Sequence, residues 1–230
     1  MPLIAIRHGQ ASFGSVDYDR LSETGVEQSR RLGRWLAAHS SQPDAIHVGA
    51  MRRHTETLDG IRAAYAEREL AVPEAVIDPA LNEFDHSAVF GAFMRRNPAH
   101  PAVAGTAGGT RGSPREIFAL LHAALVAWTQ DDLGEGVETW VSFRERIDGA
   151  RARLQQDAGQ GDVLLVSSGG VVSQLAQVAL DASDVRAIEL NLSLRNSAVS
   201  EFHALSGDLR LGSWNALPHL AEARELWTYY

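Results

Sequence analysis

Leu3-Ile4-Ala5-Ile6-Arg7-His8-Gly9-Gln10 decides how the rest of the chain is read. Residues 3–6 are an apolar run of strand length that stops abruptly at a cation and an imidazole. In open α/β sheets, ligands bind just beyond the carboxyl ends of the strands. Gly9 has no side chain, so the backbone can turn there and a ligand can approach closely. Arginine offers a planar fork of donors suited to phosphate or carboxylate. Histidine is the side chain best able to be neutral and nucleophilic near neutral pH. The octapeptide therefore reads as a phosphate site with a histidine nucleophile, or else as a strand end carrying two solvated polar residues.

Working outward, short apolar runs alternate with helical segments. Ser12 to Asp19 is polar and contains Gly14, which predicts a loop. Leu21-Ser22-Glu23-Thr24-Gly25 opens a helix that Ser22 can cap, and Leu32, Trp35 and Leu36 follow at helical spacing. Asp44 to Val48 reads as a second strand, Arg52 to Glu69 as a second long helix and Val76-Ile77 as a third strand. This rhythm predicts an α/β protein, a three-layer α/β/α sandwich on a mainly parallel sheet.

The rhythm breaks after residue 85. Asn97 to Arg115 is rich in proline and glycine without a sustained period, and reads as a loop. Glu116 to Thr129 and Glu138 to Asp157 read as helices. Residues 85–138 are therefore expected to form a cap-like insertion within one domain spanning 1–230, covering the active edge of the sheet. Val163-Leu164-Leu165-Val166 is the strongest strand in the chain. It runs through Ser167-Ser168-Gly169-Gly170 into a helix, and a strand, a glycine turn and a helix N-terminus make a natural anion site. A late strand is expected within Leu190 to Leu205, centred on Val199 to His203. Its hairpin partner is expected at Leu209 to Ser213, across Ser206-Gly207-Asp208.

The 230 residues are 45% hydrophobic and 22% charged, enough to bury a sizeable core without staples. The net charge of −8 and the lack of a long basic run argue against nucleic acid or an anionic membrane as partner. An anionic substrate must be drawn in by a local basic pocket. With no cysteine there is no disulfide and no thiolate site, and His and Asp fall at no metal-binding spacing, so neither metal nor cofactor is expected. The N-terminus lacks a signal segment and no run is long enough to span a bilayer, so a soluble cytoplasmic protein is expected.

Taken together, Arg7-His8-Gly9, Leu21 to Gly25, Arg53 through Thr57, Leu81-Asn82-Glu83, Ser167 to Gly170 and Asn196-Ser197 resemble, in order and spacing, the histidine phosphatase superfamily with its phosphoglycerate-mutase-like fold. The resemblance implies that His8 attacks phosphorus and becomes transiently phosphorylated. It also implies that Arg7 and Arg53 bind the phosphate, and that Glu83 protonates the leaving group. Two guanidinium groups on the phosphoryl oxygens would position the group, stabilise its charge and disfavour imidazolium at His8. By the same pattern Arg52 is a solvated neighbour of Arg53.

The departure from the family's usual pattern that matters most is in the turn after the long strand. The superfamily carries a second histidine in the turn after the long strand, where this sequence has Ser168 followed by an intact Gly169 and Gly170. A serine still donates a hydrogen bond, but it is shorter and uncharged, and losing one preorganised donor typically costs about 10²–10³ in turnover. His86, three residues after Glu83, is a possible accessory that compensates, with Asp85 to orient it, or else an exposed loop histidine. His47 and His54 read as structural or solvated. The expected activity is metal-independent hydrolysis of a small phosphorylated molecule, a phosphomonoester. The alternatives are a degenerate member that binds a phosphorylated ligand without efficient turnover, and a phosphoglycerate mutase.

Overall fold

The computed structural model describes residues 2–12, 18–40, 42–105, 113–130, 133–205 and 207–229. Most of the loop expected over Ser12 to Asp19, part of the 97–115 stretch and the Ser206 corner lie outside these residues. The elements run β1 (Pro2–Arg7), α1 (Glu23–His39), β2 (Ala45–Val48), α2 (Arg52–Ala66), β3 (Ala75–Ile77), α3 (His86–Arg96), α4 (Pro101–Gly105), α5 (Pro114–Gln130), α6 (Trp140–Ala158), β4 (Val163–Ser167), α7 (Gly169–Leu180), α8 (Asp184–Ser193), β5 (Val199–Leu205) and β6 (Asp208–Ala216).

The six strands form one sheet in the order β3-β2-β4-β1-β5-β6. β1, β2, β3 and β4 run parallel, while β5 pairs antiparallel to β1 and β6 antiparallel to β5. β4 is buried at every position, which is why its sequence is apolar throughout rather than alternating. Successive residues of the central strands feed opposite cores. Ile6, Ile46, Val48, Leu164 and Val166 pack with Leu32 and Leu36 of α1 and Leu58 and Ile61 of α2 on one face. Leu3, Ala5, Val163 and Leu165 pack with Phe143, Ile147 and Leu154 of α6 and Val172 and Leu175 of α7 on the other. The result is the expected three layers, with the sheet mixed rather than wholly parallel.

One expectation changes. α4 and the start of α5 fall within the stretch read as a loop, and Pro114 opens α5 at a first-turn position where its missing N–H costs nothing. The late strand falls where it was expected, β5 at Val199–Leu205 with β6 as its hairpin partner, and Leu190 before it belongs to α8, capped by Ser183. Phe93, Val103, Leu120 and Ala124 give α3, α4 and α5 a small core of their own. Among the described residues no helix is long and apolar enough to cross a membrane.

Candidate active site

The register Arg7↔Ser167 sets the carboxyl ends of β1 and β4 side by side, and His8 and Ser168 leave them together. The His8 backbone is held on both sides. Its N–H donates to Ser167 O at 2.8 Å and its carbonyl accepts from Ser197 N at 3.0 Å. Ser197 does this from a left-handed conformation, φ 56°, which gives Asn196-Ser197 a positioning role. Thr57 ties α2 to the same turn: Gly9 N donates to Thr57 Oγ1 at 3.0 Å. Ser22 caps α1 by accepting from Gly25 N at 3.1 Å and donates to Gln10 Oε1 at 2.8 Å, fastening α1 beside the turn.

These constraints converge on the His8 imidazole, which is 5% exposed. Its Nδ1 lies 2.6 Å from Gly9 O, so Nδ1 carries the proton and donates. Nε2 then presents a lone pair, which accepts from Arg53 Nε at 3.1 Å. Burial, reinforced by Arg53, Arg7 and His54, holds the His8 pKa well below the usual histidine range, so the ring is neutral at physiological pH. Arg53 is buried and pairs through Nη1 with Asp19 Oδ1 at 2.6 Å. Arg52, one residue earlier, points out and pairs with Glu56 at 2.6 Å. Arg7 Nη1 donates to Leu194 O at the end of α8.

Glu83 reaches the site from the opposite wall. Its Oε2 accepts from Gly170 N in the first turn of α7 at 3.0 Å. A Cβ on Gly170 would collide with Glu83 Oε1, so a side chain there would expel the carboxyl group. Arg146 fastens the segment before Glu83, donating to Ala80 O and Asn82 O at 2.7 Å each. Phe84 anchors the next residue against Trp128 and Phe143, with ring centroids 4.5 and 5.5 Å away.

Arg7, His8, Arg53, Glu83 and His86 all line one pocket, together with Ala11, Tyr18, Phe84, Phe90, Leu121, Leu125, Asn191, Leu192 and Tyr229. Its cationic end is at His8; Phe90, Leu121, Leu125 and Leu192 of α3, α5 and α8 make the rest mainly apolar, with His86 and Asn191 as polar groups among them. His86 sits against Tyr18 with ring centroids 5.3 Å apart, and burial lowers its pKa. Asp85 does not orient it: that carboxylate accepts from Ala88 N at 2.9 Å and caps α3. Gly169 begins α7 with the Asn191 amide oxygen against it, and Ser168 precedes the same helix without a side-chain capping bond.

Of the two readings left open for His54, structural or solvated, the first holds, and the residue also lies beside the site. It is fully buried, not solvated, and its ring centroid lies 5.5 Å from that of His8. Its Nε2 lies 2.6 Å from Ser168 Oγ. Burial and then Arg53 push its pKa down to about 3. The signal was present, since His54, Leu58 and Ile61 fall on one face of α2 at i, i+4 and i+7. His47 is structural, bonded through Nε2 to Asp157 at 2.8 Å. Asp19, Asn191 and Tyr229 were not singled out from the sequence either. Among the described residues no group of three or more His, Cys, Asp or Glu side chains could hold a metal.

The chain matches the family model of the histidine phosphatase superfamily (branch 1) over residues 3–106 and 105–217. It belongs to this superfamily. Among curated proteins it is similar to a 2,3-bisphosphoglycerate-dependent phosphoglycerate mutase of Methylorubrum extorquens, 30% identical over 95 residues; the match covers 39% of this chain and 43% of that protein. The fold is shared over nearly the whole chain with solved structures. A phosphoglycerate mutase from Bacillus anthracis superposes with a TM-score of 0.67 at 19% identity, covering 96% of each chain. An alpha-ribazole phosphatase from Shigella flexneri gives 0.63 at 19% identity, covering 94% of this chain and 97% of that one. A mycobacterial glucosyl-3-phosphoglycerate phosphatase gives 0.61 at 21% identity, covering 94% and 98%. This histidine phosphatase superfamily member thus shares its fold with both mutases and phosphatases.

Proposed function

We propose that the protein hydrolyses a phosphomonoester with an apolar or aromatic body, through a phosphohistidine on His8. The observation that carries this reading is a neutral imidazole, its Nε2 lone pair facing Arg53, at the cationic end of a pocket lined elsewhere mainly by apolar side chains. The arriving phosphoryl group takes over the Arg53 guanidinium, which frees Nε2. That nitrogen bonds to phosphorus as the bond to the leaving oxygen breaks, and Glu83 gives its proton to that oxygen. Water then attacks phosphorus, the P–N bond breaks, and the Glu83 carboxylate takes the proton from water. Residues 85–138 act as a cap within one domain, supplying the apolar wall through Phe90, Leu121 and Leu125.

The mutase reading draws on the names of relatives, and the pocket weighs against it. A substrate with two phosphates, or with a phosphate and a carboxylate, needs cations at both ends. Among the described lining residues the two guanidinium groups, Arg7 and Arg53, both belong to the His8 neighbourhood. The test is hydrolysis of 4-nitrophenyl phosphate with and without EDTA. Wild type should be active in both, and His8→Ala inactive but folded. Activity that survives His8→Ala, or that chelation abolishes, would overturn the reading.

A further inference from the structure

We propose that His54 replaces the histidine missing from position 168. The imidazole enters from α2 and acts through the Ser168 hydroxyl as a positioning residue for the phosphoryl group on His8. The inference deepens the phosphatase reading above and rests on it for its chemistry.

Two observations carry it. The first is that His54 and Ser168 form one buried unit, both fully enclosed, with Nε2 and Oγ 2.6 Å apart. Ser168 follows β4 just as His8 follows β1, its parallel neighbour. The serine is thus next to the nucleophile, and the imidazole is in the second rank behind it, its ring centroid 5.5 Å from that of His8. The second is that the site has room for this imidazole and for little else. A Cβ at Gly49, where the chain leaves β2, would run into His54 Nδ1 and come within 2.7 Å of Leu81 O. Glycine at 49, histidine at 54 and serine at 168 form a matched set. A bulkier residue at 49 or 168 would compete for the volume that the ring fills.

For this role His54 Nε2 donates to Ser168 Oγ, 2.6 Å away. The serine oxygen is then an acceptor toward His54, and its own proton is left for an anion held against His8. A serine without His54 would be free to turn its hydroxyl toward any nearby carbonyl. With His54 in place the hydroxyl is oriented before the substrate arrives, which is what an electrostatic donor needs to be effective. Burial keeps His54 neutral, so the pair adds a donor without adding a charge that would compete for the phosphate.

The experiment measures orthovanadate affinity, as a phosphoryl-group mimic, and 4-nitrophenyl phosphate turnover for the full chain and four variants. These are His54→Ala, His54→Gln, Ser168→Ala and the His54→Ala/Ser168→Ala double variant, with thermal unfolding as the check on folding. His54→Ala and Ser168→Ala should each weaken vanadate binding and lower kcat by roughly 10–100-fold. The double variant should be no worse than either single variant, because both changes remove one donor. His54→Gln offers an amide N–H to the same oxygen and should recover most of the loss, whereas a purely space-filling role would not distinguish it from other substitutions of similar volume. Wild-type vanadate affinity in His54→Ala, additive losses in the double variant, or His54→Gln as defective as His54→Ala would each overturn the proposal. Its failure is separable from that of the phosphohistidine reading. Vanadate affinity reports on the His54–Ser168 pair even in a protein that turns nothing over, whereas the comparison of wild type with His8→Ala reports on the phosphohistidine alone.

Discussion

Acidification should destabilise this protein through His54, by an amount that can be worked out. In the unfolded chain a histidine titrates near its ordinary pKa of about 6.5. In the folded protein burial, and then Arg53, push the His54 pKa down to about 3. Between those values the unfolded state binds a proton that the folded state refuses. The stability His54 confers by staying neutral is therefore complete above about pH 6.5, and is lost as pH falls from there toward 3. At pH 5 the unfolded chain gains about 2 kcal/mol relative to the folded one from this residue alone, from linkage. His219, buried beside Arg31 and lowered to about 4, acts with the same sign, as does His8. Urea unfolding of wild type and His54→Gln at pH 7.5 and pH 5 isolates the His54 share, since the other histidines are common to both. Wild type should lose about 2 kcal/mol more than the variant between the two pH values. Equal losses would mean that His54 titrates freely, and would refute the closed environment on which its proposed role depends.

Further outcomes follow from the same geometry. Arg53→Ala should weaken vanadate inhibition by roughly 10–100-fold, the worth of a charge-assisted bond to an anion, whereas Arg52→Ala, which removes an exposed pair with Glu56, should change it less than about 2-fold; equal effects would sink the assignment of Arg53 to the pocket. Asp19→Asn should tighten vanadate binding, because the carboxylate that occupies Arg53 in the empty pocket is gone, and isothermal titration of both proteins decides it. Leu121→Asn should raise KM for aryl phosphates more than it weakens vanadate binding, since it alters the apolar wall and not the phosphate end; a proportional change in both would argue against an apolar substrate body.

Much of this arrangement was legible in the sequence, for physical reasons. β1 and β4 lie in the middle of a sheet covered on both faces, so their sequences had to be continuously apolar, and the polar residues at their carboxyl ends stood out. Choosing Arg53 over Arg52 needed the family resemblance, because adjacent arginines at the start of a helix have the same local chemistry and differ only in the face they take. α3 and α8 were harder. Each announces itself by a capping residue, Asp85 and Ser183, but their apolar stripes are short and adjoin stretches rich in turn residues. His54 was missed for a different reason. A histidine in a helix beginning Arg-Arg-His looks solvated in one dimension, and only the shared face with Leu58 and Ile61 shows that it must be buried. Its partner Ser168 is more than a hundred residues away, and no local pattern could connect them.

The pocket also resolves the tension between an acidic chain and an anionic substrate. The net charge of −8 repels phosphate at long range, so attraction must come from groups close to His8. Arg53 cannot wait there unpaired, because an uncompensated guanidinium, buried as this one is, would cost several kcal/mol. Asp19 solves this by pairing with Arg53 from a partly exposed position: its side chain is 39% accessible against 4% for Arg53. Asp19 is itself held at the start of α2, its other oxygen accepting from Arg52 N at 2.8 Å, so an incoming phosphoryl group competes with a placed carboxylate for Arg53, which exchanges one anion for another. The histidines around it, His8 and His54, are held neutral by burial and by the same guanidinium, so neither adds a positive charge that would bind product phosphate too tightly to release. The proposed His54–Ser168 pair fits this arrangement, since burial keeps its imidazole neutral and it brings no further positive charge to the phosphate end.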